Sequence, residues 1–258
     1  MTDIEVARDG AVLTIALNRP DRLNSVTTGV LDDLADLIEE TAADASVRVI
    51  VLAGNGRAFS SGADLKGGAA AANGRPGTDT ILAANRVVRA LRDARQPTVA
   101  AVHGPAVGVG CSLALACDLV LASSNAYFLL SFTSIGLMPD GGATALVPTS
   151  IGRARAMAMA LVPERIPAAE ALAWGLIYRM VDAGELEASL KALTERLATG
   201  APLALAATKR AVNASTLTGL EPALGRELEG QGHLLQTSDL AEAVVAFAEK
   251  RPPKFTGT

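Results

Sequence analysis

The chain has 258 residues, of which 50% are hydrophobic and 19% are charged. This composition supplies enough apolar side chains for a folded core and excludes disorder as the general state of the chain. Aromatic residues make up 3% and the formal net charge is −4, which argues against an aromatic stacking platform and against a basic surface for nucleic acid or an anionic membrane.

Cysteine content and the N-terminal residues bear on the compartment. Cys111 and Cys117 are too few for a disulfide framework or a cysteine metal cluster. The first residues have neither the basic nor the apolar region of a signal peptide. Residues 98–117 are uncharged, but their glycines and proline predict a strand, a turn and a helix rather than a membrane span. We expect a cytoplasmic protein with no metal site, no membrane segment and no nucleic-acid partner.

The first two thirds of the chain alternate short apolar runs with amphipathic stretches. The predicted elements are a hairpin of strands 4–6 and 12–17, a helix 26–45, a strand 47–52, a mobile loop 66–80, a helix 81–94, a strand 99–102, a buried helix 108–116 and a strand 118–122. The rest of the chain is predicted to be almost wholly helical, with helices 153–161, 168–174, 185–199, 201–212, 221–235 and 238–249. Strands that alternate with helices favour parallel pairing, so the predicted fold class is α/β.

Two of the predicted strand-to-helix turns, residues 57–66 and 103–112, are built largely from small side chains. Small residues let a ligand approach the backbone, and the first N–H groups of a helix have no partner within it. Two such N–H groups aimed at one point would stabilise a developing oxyanion. The glycine spacing fits neither a dinucleotide fingerprint nor a phosphate-binding P-loop, and no G-x-S-x-G is present. Taken alone, each turn is better explained by close packing of helix against strand.

Taken together, the two turns and several other motifs resemble the crotonase superfamily, the enoyl-CoA hydratase/isomerase fold. The matching segments, spaced almost from end to end of the chain, are 17–24, 58–65, 103–118, 136–142, 152–156, 173–176 and 247–255. The resemblance implies a crotonase-like ββα spiral core over residues 1–200. It also implies a C-terminal helical oligomerisation region over residues 201–258, which builds homotrimers that often pair into hexamers. The implied substrate is an acyl-CoA thioester, and no separate cofactor is expected because coenzyme A is part of that substrate.

The resemblance also assigns candidate site residues. The backbone N–H groups of Ala63 and Val109 fall at the two oxyanion donors of the family, where they would hold the thioester oxygen. The implied substrate and coenzyme A contacts are Ser61, Gly62, Asp64, Leu65, Gly108 and Phe132. Arg22 would contact a phosphate or the pantetheine arm, although a solvated loop charge is an alternative for this residue.

The chain departs from the hydratases of the family at both catalytic glutamates. The positions of these glutamates fall on Ser112 and Phe132, neither of which is a carboxylate. A mechanism with two glutamates is therefore not expected. The remaining candidate is Asp140, within Met138-Pro139-Asp140-Gly141-Gly142, a pattern similar to that of bacterial isomerases of phenylacetate breakdown.

Isomerisation needs only one carboxylate, which removes a proton and returns it two carbons along while the oxyanion hole holds the dienolate. Apolar neighbours of Asp140 would raise its pKa by desolvation. Asp140 could instead serve only as the N-cap of the following helix.

The predicted function is acyl-CoA double-bond isomerisation with Asp140 as acid and base. One alternative is an enoyl-CoA hydratase that works through Asp140 or with a water held by the backbone. Another uses Asp140 as a nucleophile, as in the aryl-CoA dehalogenases of this fold, which the low aromatic content disfavours. A non-catalytic paralogue that binds acyl-CoA or RNA is a further alternative, and the acidic charge disfavours RNA.

Overall fold

The computed structural model describes residues 2–64 and 77–258. The strands are β1 (Ile4–Asp9), β2 (Val12–Leu17), β3 (Val49–Gly54), β4 (Thr98–Val102), β5 (Pro105–Val107), β6 (Leu119–Ser123), β7 (Tyr127–Leu129), β8 (Ile166–Pro167) and β9 (Arg179–Val181). The helices are α1 (Thr28–Ala43), α2 (Asp79–Asp93), α3 (Val109–Ala116), α4 (Ala143–Leu161), α5 (Ala168–Trp174), α6 (Leu186–Ala198), α7 (Pro202–Thr216), α8 (Leu220–Leu234) and α9 (Ser238–Glu249). Single turns of 3-10 helix span Pro20–Arg22, Phe132–Ile135 and Ala183–Glu185.

Most of the predicted loop 66–80, together with the predicted binding residue Leu65, lies outside the described residues. The end of that prediction differs from the structure, because α2 already begins at Asp79.

The larger sheet has the strand order β1-β2-β3-β4-β6-β9 in the described chain. The hairpin of β1 and β2 is antiparallel, and every other neighbouring pair is parallel. The predicted α/β class is therefore confirmed. A parallel strand needs a crossover before its neighbour, and here helices α1, α2 and α3 supply the crossovers between β2, β3, β4 and β6.

The central strands are covered on both faces, which explains their continuous apolar sequence. In β3, Ile50 and Leu52 join the main core, whereas Val49 and Val51 pack in a second cluster with residues of α6. Helices α1 and α2 pack against each other and contribute to the main core. The strand ends that lead into the site are thus held from both sides.

A smaller sheet of β5, β7 and β8 was not predicted from the sequence. Its strands have two or three residues each, as does β9, and so short a run has no measurable periodicity. Strand β5 lies within the second small-residue turn, where Ser60 and Ala106 form an isolated parallel bridge. This sheet therefore fixes the second turn beside the first.

The C-terminal helices α5–α9 match the predicted ranges closely, and α5 and α9 match them at both ends. Helix α4 starts ten residues before the predicted helix 153–161. The prediction missed its first half because Pro148 interrupts the helical pattern there. The backbone of Gly152 leaves the helical region at φ 75° and divides α4 into two segments. Within the described ranges, no helix has the length and apolar character needed to cross a bilayer.

Candidate active site

A cavity of about 490 Å³ opens between the two small-residue turns, helices α2 and α8, and the 3-10 turn Phe132–Ile135. Apolar side chains such as Ile81, Leu137 and Phe247 form much of its wall. The cavity brings together all predicted site residues that the structure describes, namely Arg22, Ser61, Gly62, Ala63, Asp64, Gly108, Val109, Phe132 and Asp140.

The two turns approach so closely that larger side chains would not fit between them. Gly62 has a φ of +92°, and a Cβ there would lie 2.9 Å from the carbonyl oxygen of Val107. A Cβ on Gly110 would lie 2.5 Å from the Cβ of Ser60. The small residues of these turns therefore serve close backbone contact, and this contact sets the relation between Ala63 and the first turn of α3.

The backbone N–H groups of Ala63 and Val109, at the cavity, have no acceptor within the described residues. Val109 is the first residue of α3, so its N–H has no intrahelical partner. The adjacent N–H groups are used, since Gly108 donates to Leu129 O (2.8 Å) and Asp64 donates to Val26 O (2.8 Å). The arrangement can stabilise negative charge on an oxygen placed between the two N–H groups.

Asn24 ties the N-terminal loop to the first turn, a role that sequence reasoning missed. Its Nδ2 donates to the carbonyl oxygens of Asn55 (2.8 Å) and Ala58 (2.7 Å), and its Oδ1 accepts from the N–H of Arg19 (2.9 Å). These contacts hold the short helix that carries Arg22 beside the cavity.

Of the two predicted charged contacts at this end of the cavity, Asp64 forms an ion pair and Arg22 does not. The carboxylate of Asp64 is 3.0 Å from the guanidinium of Arg19. Arg22 is exposed and has no ion pair in the part of the chain that the structure describes. Arg22 is thus available to an anionic group that enters the cavity.

Asp140 is 7% exposed, and its two carboxyl oxygens differ. Oδ2 accepts a hydrogen bond from Gln231 Nε2 at 2.8 Å, whereas Oδ1 is buried and has no partner in the described chain. Burial raises the pKa of Asp140 to about 7, the nearby charge of Glu227 also raises it, and the hydrogen bond from Gln231 opposes the shift. Such a group exchanges protons readily near neutral pH.

The structure does not support the alternative in which Asp140 caps α4. The N-cap residue is Gly142, and the side chain of Asp140 accepts no N–H of that helix. Glu227 of α8 takes this role, because its carboxylate accepts from the N–H groups of Gly142 (2.7 Å) and Thr144 (2.8 Å) and from Thr144 Oγ1 (2.5 Å). The carboxyl of Asp140 therefore does not take part in capping α4.

Ser112 and Phe132, the two positions to which the resemblance assigns the glutamates of the hydratases, have other contacts here. Ser112 is fully buried, and its Oγ donates to the carbonyl oxygen of Asp140 at 2.7 Å, so it anchors the Asp140 loop on α3. Phe132 lines the cavity with an apolar ring. Among the described residues around the cavity, the acidic ones are Asp140 and the ion-paired Asp64.

Glu227 and Gln231 are the main site-forming residues that sequence reasoning missed. Both are almost fully buried, and they follow Ala223 and Leu224 on the inward face of α8. Polar side chains at the helical spacing of a buried face were the available signal. No cluster of three or more histidine, cysteine, aspartate or glutamate side chains in residues 2–64 and 77–258 is arranged to hold a metal ion.

Comparison with known proteins identifies the family. The model of the enoyl-CoA hydratase/isomerase family matches residues 7–258. A probable enoyl-CoA hydratase of Rhodobacter capsulatus is 41% identical over 255 residues, which cover 98% of this chain and 96% of the relative. The 1,2-epoxyphenylacetyl-CoA isomerase of Escherichia coli is 37% identical over 95% of each chain.

Solved structures agree with this assignment. The crystal structure of an enoyl-CoA hydratase from Mycobacterium avium subsp. paratuberculosis has a TM-score of 0.90 and 50% sequence identity, and the match covers 95% of this chain and 99% of that one. The resemblance drawn from the sequence motifs is therefore confirmed. The chain belongs to the enoyl-CoA hydratase/isomerase family of the crotonase superfamily.

Proposed function

We propose that this member of the family is an acyl-CoA isomerase that moves a carbon–carbon double bond, with Asp140 as its single acid and base. The observation that carries the proposal is the composition of the cavity. Asp140, whose Oδ1 has no partner among the described residues, lines the cavity together with Ala63 and Val109, and the positions to which the resemblance assigns the hydratase glutamates carry Ser112 and Phe132.

Substrate binding follows from the same geometry. The thioester oxygen of the acyl-CoA lies at the N–H groups of Ala63 and Val109, and the acyl chain occupies the apolar part of the cavity near Ile81 and Leu137. Arg22, exposed at the cavity, is positioned for a phosphate of coenzyme A. Coenzyme A is part of the substrate, so the reaction requires no separate cofactor.

The chemical steps balance without water. The ionised Asp140 takes a proton from the carbon next to the thioester of a 3-enoyl-CoA, and the C–H electron pair moves into a dienolate whose negative oxygen is held by the two N–H groups. The protonated Asp140 then returns this proton to the carbon two positions along the chain. The double bond ends between the second and third carbons, and Asp140 is again ionised.

The pKa of Asp140 suits both halves of this cycle. A carboxyl of ordinary pKa is a weak base, while one with a pKa near 7 accepts a proton readily and is still ionised in part at neutral pH. The oxyanion hole lowers the cost of the enolate, which brings the substrate C–H closer to the carboxyl in acidity.

Hydration of a 2-enoyl-CoA is the second candidate, because several relatives are named hydratases, among them the Rhodobacter capsulatus protein. Asp140 would then have to activate a water and also deliver the proton to the neighbouring carbon. A hydratase of the two-glutamate type divides these tasks between two carboxylates, and the described part of this cavity has one uncommitted carboxyl.

The experiment is a panel of 2-enoyl, 3-enoyl and aryl-acyl CoA thioesters, assayed separately for hydration and for double-bond shift. We expect isomerisation without hydration in the native chain. Asp140→Asn should lose this activity by at least about a thousandfold while it still binds coenzyme A, because the amide cannot accept the proton. Asp33→Asn, which changes an exposed aspartate on α1, is the matched control and should leave the rate unchanged.

The other outcomes separate the alternatives. Hydration without isomerisation would reverse the assignment in favour of a hydratase. Release of halide from a halogenated aryl-acyl CoA would favour Asp140 as a nucleophile. Tight coenzyme A binding without turnover of any thioester would identify a non-catalytic binding protein. Full activity of Asp140→Asn would refute the role of Asp140.

A further inference from the structure

The amide of Gln231 has one orientation that satisfies its surroundings. Its Oε1 accepts from the backbone N–H of Met138 at 3.3 Å, and its Nε2 donates to Asp140 Oδ2 at 2.8 Å. The Met138 N–H can only donate, so the oxygen of the amide must lie on that side and its NH₂ group must lie toward Asp140. Gln231 is 1% exposed, so both contacts are shielded from solvent in this structure.

This orientation makes the two oxygens of Asp140 chemically unequal. An NH₂ group offers only donors, so Oδ2 must accept from it whether the carboxyl is charged or neutral. If Oδ2 carried the proton, its O–H and the N–H of Gln231 would be two donors facing each other with no acceptor between them. The proton of the neutral acid is therefore excluded from Oδ2 and placed on Oδ1, the oxygen without a partner in the described residues.

We propose that Gln231 is a positioning residue, which keeps the transferable proton of Asp140 on Oδ1 and so makes helix α8 part of the isomerase machinery. The proposal rests on the proposed function of Asp140 as acid and base. Gln231 does not touch the reacting carbons in this scheme. It acts by fixing which oxygen takes the proton from the substrate and gives it back.

Packing holds Gln231 at the required distance. The preceding residue, Gly230, lies so close to the Met138 side chain that a Cβ at this position would be 2.3 Å from Met138 Sδ. The loop before Asp140 is thus pressed against α8, and Ser112 anchors its other side through the Asp140 carbonyl. A side chain shorter than glutamine would not reach both of its partners.

The charged and polar groups around Asp140 determine how its pKa changes when a neighbouring residue is substituted. On α8, Glu227 raises the pKa of Asp140, and the hydrogen bond from Gln231 lowers it. Arg22 and Asp64 are the other ionisable side chains among the described residues that line the cavity. The described residues that α2, α3 and α9 contribute to the cavity wall are not ionisable. Removal of the Gln231 donor should therefore raise the pKa of Asp140, and removal of the Glu227 charge should lower it.

The test compares Gln231→Met, which keeps the length of the side chain and removes both polar ends, with the native chain. We expect kcat for isomerisation to fall at least about tenfold, KM to change less than about twofold, and the rising limb of the pH profile to move upward by at least about half a unit. Glu227→Gln should move this limb in the opposite direction. Glu229→Gln, an exposed change on the same helix, is the control and should move neither quantity.

A second variant guards against misfolding of the first. Gln231→Glu keeps the shape but places a second carboxyl against Asp140, so the pair should share a proton and the rising limb should move further upward. Titration of ¹³C-labelled aspartate carboxyls by NMR, with Asp140→Asn for assignment, gives the same shift without turnover.

The outcomes are distinct from those of the proposed function. If Asp140→Asn is active, the role of Asp140 fails. If Asp140→Asn is inactive while Gln231→Met keeps the native kcat and pH profile, the role of Gln231 alone is overturned. A fall in kcat without any shift of the rising limb, or of the Asp140 resonance, would mean that Gln231 is merely structural and would also overturn the inference.

Discussion

The carboxyl of Asp140 lies beside a second buried carboxylate, Glu227, and accepts a single hydrogen bond. Burial raises its pKa from an ordinary 3.8 to about 7. A carboxyl with a higher pKa in the folded chain than in the unfolded chain favours folding most when it is neutral in both states. The contribution of Asp140 to the free energy of unfolding is therefore fully present below about pH 4. It is lost progressively as the pH rises toward and through 7.

This balance predicts that Asp140→Asn stabilises the protein at about pH 8, where the native carboxyl must fold in its charged form. A difference of about three units between the pKa of Asp140 in the folded and unfolded chain corresponds to on the order of 4 kcal/mol. Relaxation of the site reduces this cost, so we expect the free energy of unfolding of Asp140→Asn to rise by about 2 kcal/mol or more. The amide oxygen of asparagine can still accept from Gln231. Urea denaturation at about pH 8 and about pH 5 should show the gain shrinking at the lower pH.

If Asp140→Asn raised the free energy of unfolding equally at both pH values, the charge of Asp140 would not be the cause of the increase, and the prediction would be wrong. An unchanged free energy of unfolding at about pH 8 would show that the carboxyl is not ionised at a cost in the folded chain. Asp33→Asn serves as the control here too, because Asp33 is exposed on α1.

At this scale the sequence could locate Asp140, Ala63 and Val109 because each lies in a local motif of the resemblance. The partners of Asp140 could not be located in the same way. Gln231 lies 91 residues further along the chain, and its contact depends on how α8 packs on the loop before α4. That Ser112 stands where the hydratases carry a glutamate stays a prediction from the resemblance, and its bond to the Asp140 carbonyl depends on how α3 packs on the loop before α4.

Among the elements, α3 depends most directly on close packing for its role. Its second residue, Gly110, packs on Ser60, and its first residue, Val109, supplies one of the two proposed oxyanion donors. The first turn and the start of α3 are therefore in direct contact. Any side chain at position 110 must move α3 away from the turn that carries Ala63.

We accordingly expect Gly110→Ala to lower kcat at least about tenfold, because a displaced α3 would change the distance between the two proposed oxyanion donors. Overpacking of this kind also costs about 1–3 kcal/mol of stability. Gly29→Ala is the matched control, since a Cβ at Gly29 of α1 meets nothing within 4 Å. Rates measured well below the melting temperature, with circular dichroism to confirm folding, separate the two effects. Native kcat in a folded Gly110→Ala would contradict the proposal that Ala63 and Val109 act together as oxyanion donors.

Long elements were predictable from periodicity and short ones were not. The pattern of 26–45 located α1, and 238–249 located α9, because each buries one face over several turns. Strands β5, β7 and β8 have too few residues for any period, and their pairing comes from segments distant in the sequence. The first half of α4 was missed because a proline inside a helix is atypical and Pro148 interrupts the pattern.

On the scale of the whole molecule, the C-terminal helices have a second role besides any part in assembly. The expected division into a core of residues 1–200 and an oligomerisation region of residues 201–258 separates Asp140 from Gln231 and Glu227. In the structure Gln231 donates to Asp140, and Glu227 accepts from the N–H of Gly142, two residues after Asp140. The candidate active site therefore spans both regions, and we do not expect the two to function apart.

Assembly into trimers or hexamers remains a proposal that the surface of the chain supports. Large apolar side chains are exposed at the end of α4, where Leu161 is 61% and Val162 is 55% exposed, and on α7, where Leu203 is 83% exposed. Exposed apolar patches are costly in water and mark interaction surfaces. A second copy of the chain is the occupant that the family resemblance implies.

We expect light scattering to give three or six times the protomer mass at micromolar concentration. Leu161→Glu should lower this mass, because a buried, unpaired carboxylate at an interface between copies costs several kcal/mol. Val6→Thr, a milder change of an exposed residue on the edge strand β1, is the control. A native mass of one protomer would overturn the proposed assembly. A native trimer that Leu161→Glu leaves intact would instead place the interface on another surface, with Leu203 of α7 the next position to test.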